Sequence, residues 1–206
     1  MKRTAKIRRE TNETQIELEV NLDGTGKYEI NCKVGFLKHM LELFSKNSMI
    51  DLKLNAKGDF DIDEHHIVED IGICLGKAVK EALGNKKRIN RYGFFILPMD
   101  ETLALSAVDL SGRSFFVFDA EFKKEFAGEM ATELVYDFFD AFSRNAECNL
   151  QLKILNGRND HHKIEALFKA FGRALRMAVE YDERQEGIPS TKGMLWNDYC
   201  NRHWNK

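Results

Sequence analysis

The chain is 206 residues long, with 43% hydrophobic and 31% charged residues, enough for one or two domains with a buried core. Its formal net charge of −2 supplies no overall field toward nucleic acid or a membrane surface. Two prolines exclude long proline-rich arms, and no apolar run reaches the roughly eighteen residues of a membrane span.

The N-terminal MKRTAKIRRET is basic with no apolar run behind it, so it does not read as a signal peptide. Ile16, Leu18 and Val20 alternate as a strand, and LDGTG at Leu22–Gly26 is a turn. Tyr28, Ile30, Cys32 and Val34 alternate again. Phe36–Asn47 reads as a helix with Phe36, Met40, Leu43 and Phe44 on one side. Ile50, Leu52 and Leu54 suggest a strand, Gly58-Asp59 a turn, and about Glu64 to Leu83 a helix closed by Gly84.

The second half repeats that order. Strands are expected at Gly93–Pro98, Leu103–Asp109 and Ser114–Asp119, and a helix at Thr132–Asn145. A strand at Asn149–Leu155 and a long helix from Asp160 to Tyr181 complete it. From Asp182 onward the pattern is irregular, and WNDYCNRHWNK reads as a disordered tail. The expectation is a single domain over residues 1–195, built from two repeats (about 1–90 and 91–185), with 196–206 as the tail. Cys32, Cys74, Cys148 and Cys200 form no C-x-x-C pair, which fits reduced thiols in a cytoplasm better than a disulfide framework.

Aligning Glu69 with Glu165 exposes a duplication. His65-His66 then match His161-His162, Gly76 matches Gly172, Ala78 matches Ala174 and Lys80 matches Arg176. The shared pattern is H-H-x-x-E-x6-G-x-A-x-[KR], at a period of 96 residues (65 to 161). Two sheet-plus-helices halves packed together, an α+β fold, follow from this order.

Of the 6 histidines, four lie in the two motifs, a fifth is His39 and the sixth is His203. On a helix Glu69 lies one turn from both His65 and His66, so either histidine can share an ion with it. The adjacent histidines diverge by about 100° around the axis. Each motif therefore serves two metals, one on each flank. A single H-H-x-x-E reads as solvated or capping histidines; two copies at matching places favour metal. Imidazole with carboxylate suits manganese, iron, zinc or nickel without choosing among them.

Arg91, Arg113, Lys169, Ser190, Thr191 and Lys192 stand at loop or motif-helix positions where an anion could be held. Taken one by one, they read as ordinary surface groups. No P-loop or G-x-G-x-x-G accompanies them.

From about Thr11 to Leu195 the chain resembles the imidazoleglycerol-phosphate dehydratase family. The resemblance rests on TNET, NLDGTG, GFLKHM, GDFDIDEHHIVEDIG, INRYG, PMDETL, DLSGR, NDHHKIEALFKAFGRAL and IPSTKG. It implies a ribosomal protein S5 domain 2-like α+β fold. It also implies loss of water from D-erythro-imidazole-glycerol phosphate to give imidazole acetol phosphate in histidine biosynthesis. Two Mn²⁺ per active site and a cytoplasmic homo-oligomer of 24 subunits built from trimers are implied as well, with no nucleic-acid or membrane partner.

Carried over by position, the implied metal ligands are His39, His65, His66, Glu69, Asp137, His161, His162 and Glu165. Many family members have histidine at the place of Asp137. The phosphate positions are Arg91, Arg113, Lys169, Ser190 and Lys192, with Thr191 beside them. Glu13, in TNET, is the acid/base, and Glu69 or Glu165 is the competitor for that role. Asn47 and Lys38 depart from the family's usual residues, which bears on substrate affinity. Two other classes fit the motifs alone: a metal-dependent hydrolase of a phosphorylated small molecule, and a metal-assembled shell without catalysis.

Overall fold

The computed structural model describes residues 3–58 and 62–195. Sheet one holds β1 (Thr4–Glu10), β2 (Thr14–Asn21), β3 (Tyr28–Asn31) and β4 (Asp51–Gly58), in the order β1-β2-β4-β3. Sheet two holds β5 (Tyr92–Met99), β6 (Thr102–Asp109), β7 (Phe115–Asp119) and β10 (Asn149–Asn156), in the order β5-β6-β10-β7. In both sheets the first two pairs are antiparallel and the last pair is parallel. The duplication read from the motifs thus extends to the whole strand order.

Strict alternation explains the strands. In β2, Ile16, Leu18 and Val20 are buried, while Gln15 and Glu17 face out. Four helices lie on the inner faces: α1 (Gly35–Ser48) and α2 (His65–Leu83) on sheet one, α3 (Leu134–Ala146) and α4 (Asp160–Val179) on sheet two. The halves meet helix to helix and crosswise, α1 against α4 and α2 against α3.

Glycines permit these crossings. A Cβ on Gly76 would stand 2.6 Å from the Phe142 carbonyl oxygen, and one on Gly172 would stand 3.0 Å from that of Phe44. Buried phenylalanines pack here: Phe44 of α1 stacks on Phe171 of α4 across the seam at 5.3 Å, and behind it Phe139 meets Phe168 within the second half at 4.7 Å. Two prolonged readings are corrected. β3 ends at Asn31, though Cys32 and Val34 stay buried as the chain turns into α1; α4 ends at Val179, where Glu180 turns extended and Tyr181 bridges Ile89.

Two elements had no sequence reading. β1 shows mostly charged and polar residues with only Ile7 buried, because it is an edge strand paired with β2 alone. The hairpin of β8 (Phe126–Ala127) and β9 (Met130–Ala131) has strands of two residues. No helix among the described residues is long and apolar enough to cross a membrane. Residues 196–206, expected as a tail, lie outside the described residues, as does Asp59 of the expected turn.

Candidate metal centre

Each motif is entered through a side-chain turn two residues before its first histidine, and in α4 that residue, Asn159, is also the helix N-cap. Asp63 Oδ1 accepts the His65 amide at 2.9 Å, and Asn159 Oδ1 accepts the His161 amide at 2.9 Å. Both histidine pairs are therefore fixed in the first helical turn. Their rings diverge as the helical period requires. His65 and His66 stand 6.2 Å apart at 80°, and His161 and His162 stand 6.1 Å apart at 89°.

The second motif forms a cluster with the facing helix. His161 Nε2 lies 3.2 Å from Glu165 Oε2, and His39 Nε2, from α1, lies 4.0 Å from that same oxygen. All three donors fall within 4.8 Å of one another. Donors about 2.1 Å from one ion lie roughly 3–4 Å from each other, so modest closure completes the set. The crosswise helix pairing supplies it: His39 belongs to the first half, His161 and Glu165 to the second. Phe36 packs edge-on against His161 at 5.2 Å. Glu165 is buried, and its other oxygen meets Lys169 Nζ at 2.5 Å.

The first motif is more open. Glu69 is exposed, and the described residues gather no matching triad around it. Asp137 faces this side from α3. Burial raises its carboxyl above the usual range, aided by Glu133 and Asp140, while His65 pulls it down. Asp137 is the counterpart of His39. Asn47 and Asn145 each donate Nδ2–H to the carbonyl four residues earlier, both at 2.8 Å, and 39 and 137 keep the same spacing to them. Asn47 thus spends a donor on its own helix rather than reserving it for a ligand.

Glu13 is brought to the first motif by a braced loop. Thr11 Oγ1 accepts the amides of Glu13 at 3.1 Å and Thr14 at 2.9 Å, and Thr14 Oγ1 donates to the buried Asp70 on α2 at 2.5 Å. Glu13 Oε2 ends 3.6 Å from His66 Nδ1. His162 turns away from the triad toward Glu101, whose carboxyl is held down to about 2, first by the His162 hydrogen bond and then by the Asn159 amide.

Of the expected anion-holding residues, Arg91, Arg113, Ser190, Thr191 and Lys192 line one cavity of about 1080 Å³. Lys169 is not among its lining residues; it stays with Glu165. Arg91 has a left-handed backbone at φ 70° and forks onto Asp109 at 2.7 and 3.1 Å. Its Nη1 donates to the Pro189 carbonyl at 2.9 Å, tying the 188–192 loop to β5.

Residues 32–175 match the family described as imidazoleglycerol-phosphate dehydratase. The chain is 57% identical over 193 residues to the imidazoleglycerol-phosphate dehydratase of Clostridium botulinum (strain Alaska E43 / Type E3), covering 94% of this chain and 98% of that protein. The chain belongs to the imidazoleglycerol-phosphate dehydratase family. Its members are lyases of histidine biosynthesis acting on a phosphorylated imidazole. Two solved dehydratases share the fold. That of Staphylococcus aureus is 41% identical with a TM-score of 0.79, covering 87% of this chain and 99% of its own. That of Pyrococcus furiosus, solved in complex with (S)-C348, is 36% identical with a TM-score of 0.80, covering 92% and 100%. Both bear out the α+β duplication with dehydratase structures as neighbours.

Glu101 and the side-chain turns at Asp63 and Asn159 went unremarked in the sequence. The signal for Glu101 was there: Glu13-Thr14 opens β2 and Glu101-Thr102 opens β6.

Proposed function

We propose that this chain removes water from D-erythro-imidazole-glycerol phosphate to give imidazole acetol phosphate, with two Mn²⁺ per active site. The observation that carries the reading is the His39–His161–Glu165 triad, two imidazole nitrogens and one carboxylate oxygen within 4.8 Å. That donor set suits a divalent ion of the manganese type and lacks the thiolates of a closed zinc site. His65, His66, Glu69, Asp137 and His162 would complete the ligand sets. Bound metal supplies Lewis acidity to the substrate's imidazole ring.

The chain's own groups divide the remaining work. Glu165 is committed to His161 and Lys169, and Glu69 is the motif carboxylate of the other copy. Glu13 is free of both duties and 54% exposed beside His66, which supports reading it as the group that moves a proton. The cavity of Arg91, Arg113, Ser190, Thr191 and Lys192 would hold the phosphate; Lys169, paired with Glu165 outside that cavity in one chain, is read as a further phosphate contact from the metal side.

A homo-oligomer, read as 24 subunits built from trimers, is part of this proposal. It is supported by a contrast between sheets. The outer face of sheet one carries ion pairs, Lys6 with Glu19 at 2.8 Å and Lys53 with Glu29 at 3.0 Å. The outer face of sheet two exposes Phe94 (65%), Phe115 (63%), Tyr92 and Ile96. The triad and the phosphate cavity share no lining residue within one chain, which fits sites completed between copies. Residues 1–195 are read as one domain, since the crosswise helices join the halves, and a cytoplasmic setting suits the free buried Cys32, Cys74 and Cys148.

Incubation with Mn²⁺ and imidazole-glycerol phosphate tests the reading. The keto product without free phosphate supports it. Release of phosphate would point to a hydrolase, and no reaction to a metal-joined shell.

A further inference from the structure

The duplication extends to a pair of glutamates in front of the motifs. The loops entering β2 and β6 both end in Glu-Thr, at Glu13-Thr14 and Glu101-Thr102. These loops join corresponding hairpins, β1–β2 and β5–β6. Each glutamate faces Nδ1 of the second histidine in its own half: Glu13 at 3.6 Å from His66, Glu101 at 2.8 Å from His162.

The two carboxylates are held differently. That of Glu13 is 54% exposed and outside hydrogen-bond distance of its histidine. That of Glu101 is pinned. Its Oε1 accepts the backbone amides of Asn159 at 2.8 Å and Arg158 at 3.2 Å, while Oε2 meets the His162 ring. Its own carbonyl accepts Asn156 Nδ2–H at 2.8 Å, so the loop is tied to the end of β10. Two amides already donate to this carboxylate, and the ring nitrogen facing it must donate too. In the neutral ring the proton therefore sits on Nδ1, and Nε2 keeps its lone pair. Asp100 lies 3.7 Å from Nε2 and is 71% exposed, too distant to hold a proton there.

We propose that Glu101 is a positioning residue that fixes the Nδ1–H tautomer and ring orientation of His162, presenting Nε2 to a metal ion. This rests on the metal reading given above. It also divides the duplicated glutamates: one left exposed for proton transfer, the other tied down behind a ligand.

Glu101→Gln tests it at constant size. The carbonyl oxygen of the substituted side chain would accept the Asn159 amide, and its NH₂ would then donate to His162 Nδ1, moving the ring proton to Nε2. ¹⁵N NMR of histidine-labelled, metal-free protein reads the tautomer, and an EPR titration reads Mn²⁺ affinity. At a pH where the ring is neutral, the wild type should show Nδ1–H at His162, and E101Q should show Nε2–H with Mn²⁺ affinity at one site about 10- to 100-fold weaker. Wild-type protein that binds no Mn²⁺ would defeat the metal reading itself. Wild-type binding with an unchanged tautomer or unchanged affinity in folded E101Q would overturn the role of Glu101. Should E101Q not fold, Glu101→Ala carries the test, and retention of the Nδ1–H preference there would overturn it.

Discussion

The two H-H-x-x-E copies are each carried on a long helix, entered through the same side-chain turn and with the same ring divergence, yet they differ in readiness. In the second copy Glu165 is buried, paired with Lys169, and within reach of His161 and His39. In the first copy Glu69 is exposed, Ile73 stands where Lys169 does, and Asp137 stands where His39 does. The motif fixes the angle between its histidines; the facing helix and the residue one turn on decide whether the donors converge.

The largest expected effect separates the duplicated glutamates. Glu13→Gln should lower turnover about 10²- to 10⁴-fold while leaving Mn²⁺ binding and assembly intact, measured by steady-state kinetics beside an EPR titration. Unchanged turnover would remove Glu13 as the acid/base.

Next comes the residue before each histidine pair. Asp160 accepts the Lys123 and Lys124 amides at 2.8 Å and pairs with buried Lys163 at 2.9 Å, while its counterpart Glu64 accepts the Ala131 amide at 2.8 Å. Both thus anchor the segment around β8–β9. Asp160→Asn leaves the Lys163 ammonium buried without its counter-charge, with only the Glu121 carbonyl still accepting from it, and should cost roughly 3–5 kcal/mol in chemical denaturation. Burial pushes the Asp160 carboxyl up, but Lys163 and the two amides outweigh it and leave the folded value lowered. That contribution is fully present above the ordinary aspartate value near 4. It is lost as pH falls through the lowered folded value, so the variant's deficit should vanish in strong acid.

Glu165→Gln and Glu69→Gln compare the motifs directly. Glu165→Gln should weaken one Mn²⁺ site by about 100-fold or more, since the buried carboxylate already faces two imidazoles. Glu69→Gln should cost less in an isolated subunit, because its set is not assembled there; equal losses would deny the asymmetry. The smallest effect is a gain. Asp137→His gives the first copy the residue that α1 gives the second, and should tighten one Mn²⁺ site by a factor of about 2–5, well under 1.4 kcal/mol.

What the sequence made legible was what repeats with a period. β2, β4 and β6 alternate, the motif helices carry their buried stripes, and the 96-residue offset exposed the duplication. β1 was hidden because an edge strand buries little; Ile7 alone marks its inner face. The crosswise pairing was hidden because it is a packing choice: Gly76 and Gly172 show that something approaches closely, not that it comes from the opposite half. Of the site, His39, His161 and Glu165 proved to be neighbours, and five of the anion candidates share a cavity. Glu101 was overlooked because its role is to hold another residue, and only its place before Thr102 repeats.

The central claim is that the crosswise helices build a metal site from both halves. Anomalous diffraction at the manganese edge from crystals grown with Mn²⁺ tests it most directly. The account predicts an ion bonded by His39, His161 and Glu165 and a second ion per active site among the remaining motif residues. Full occupancy elsewhere, with His39 and Glu165 unligated, would contradict it.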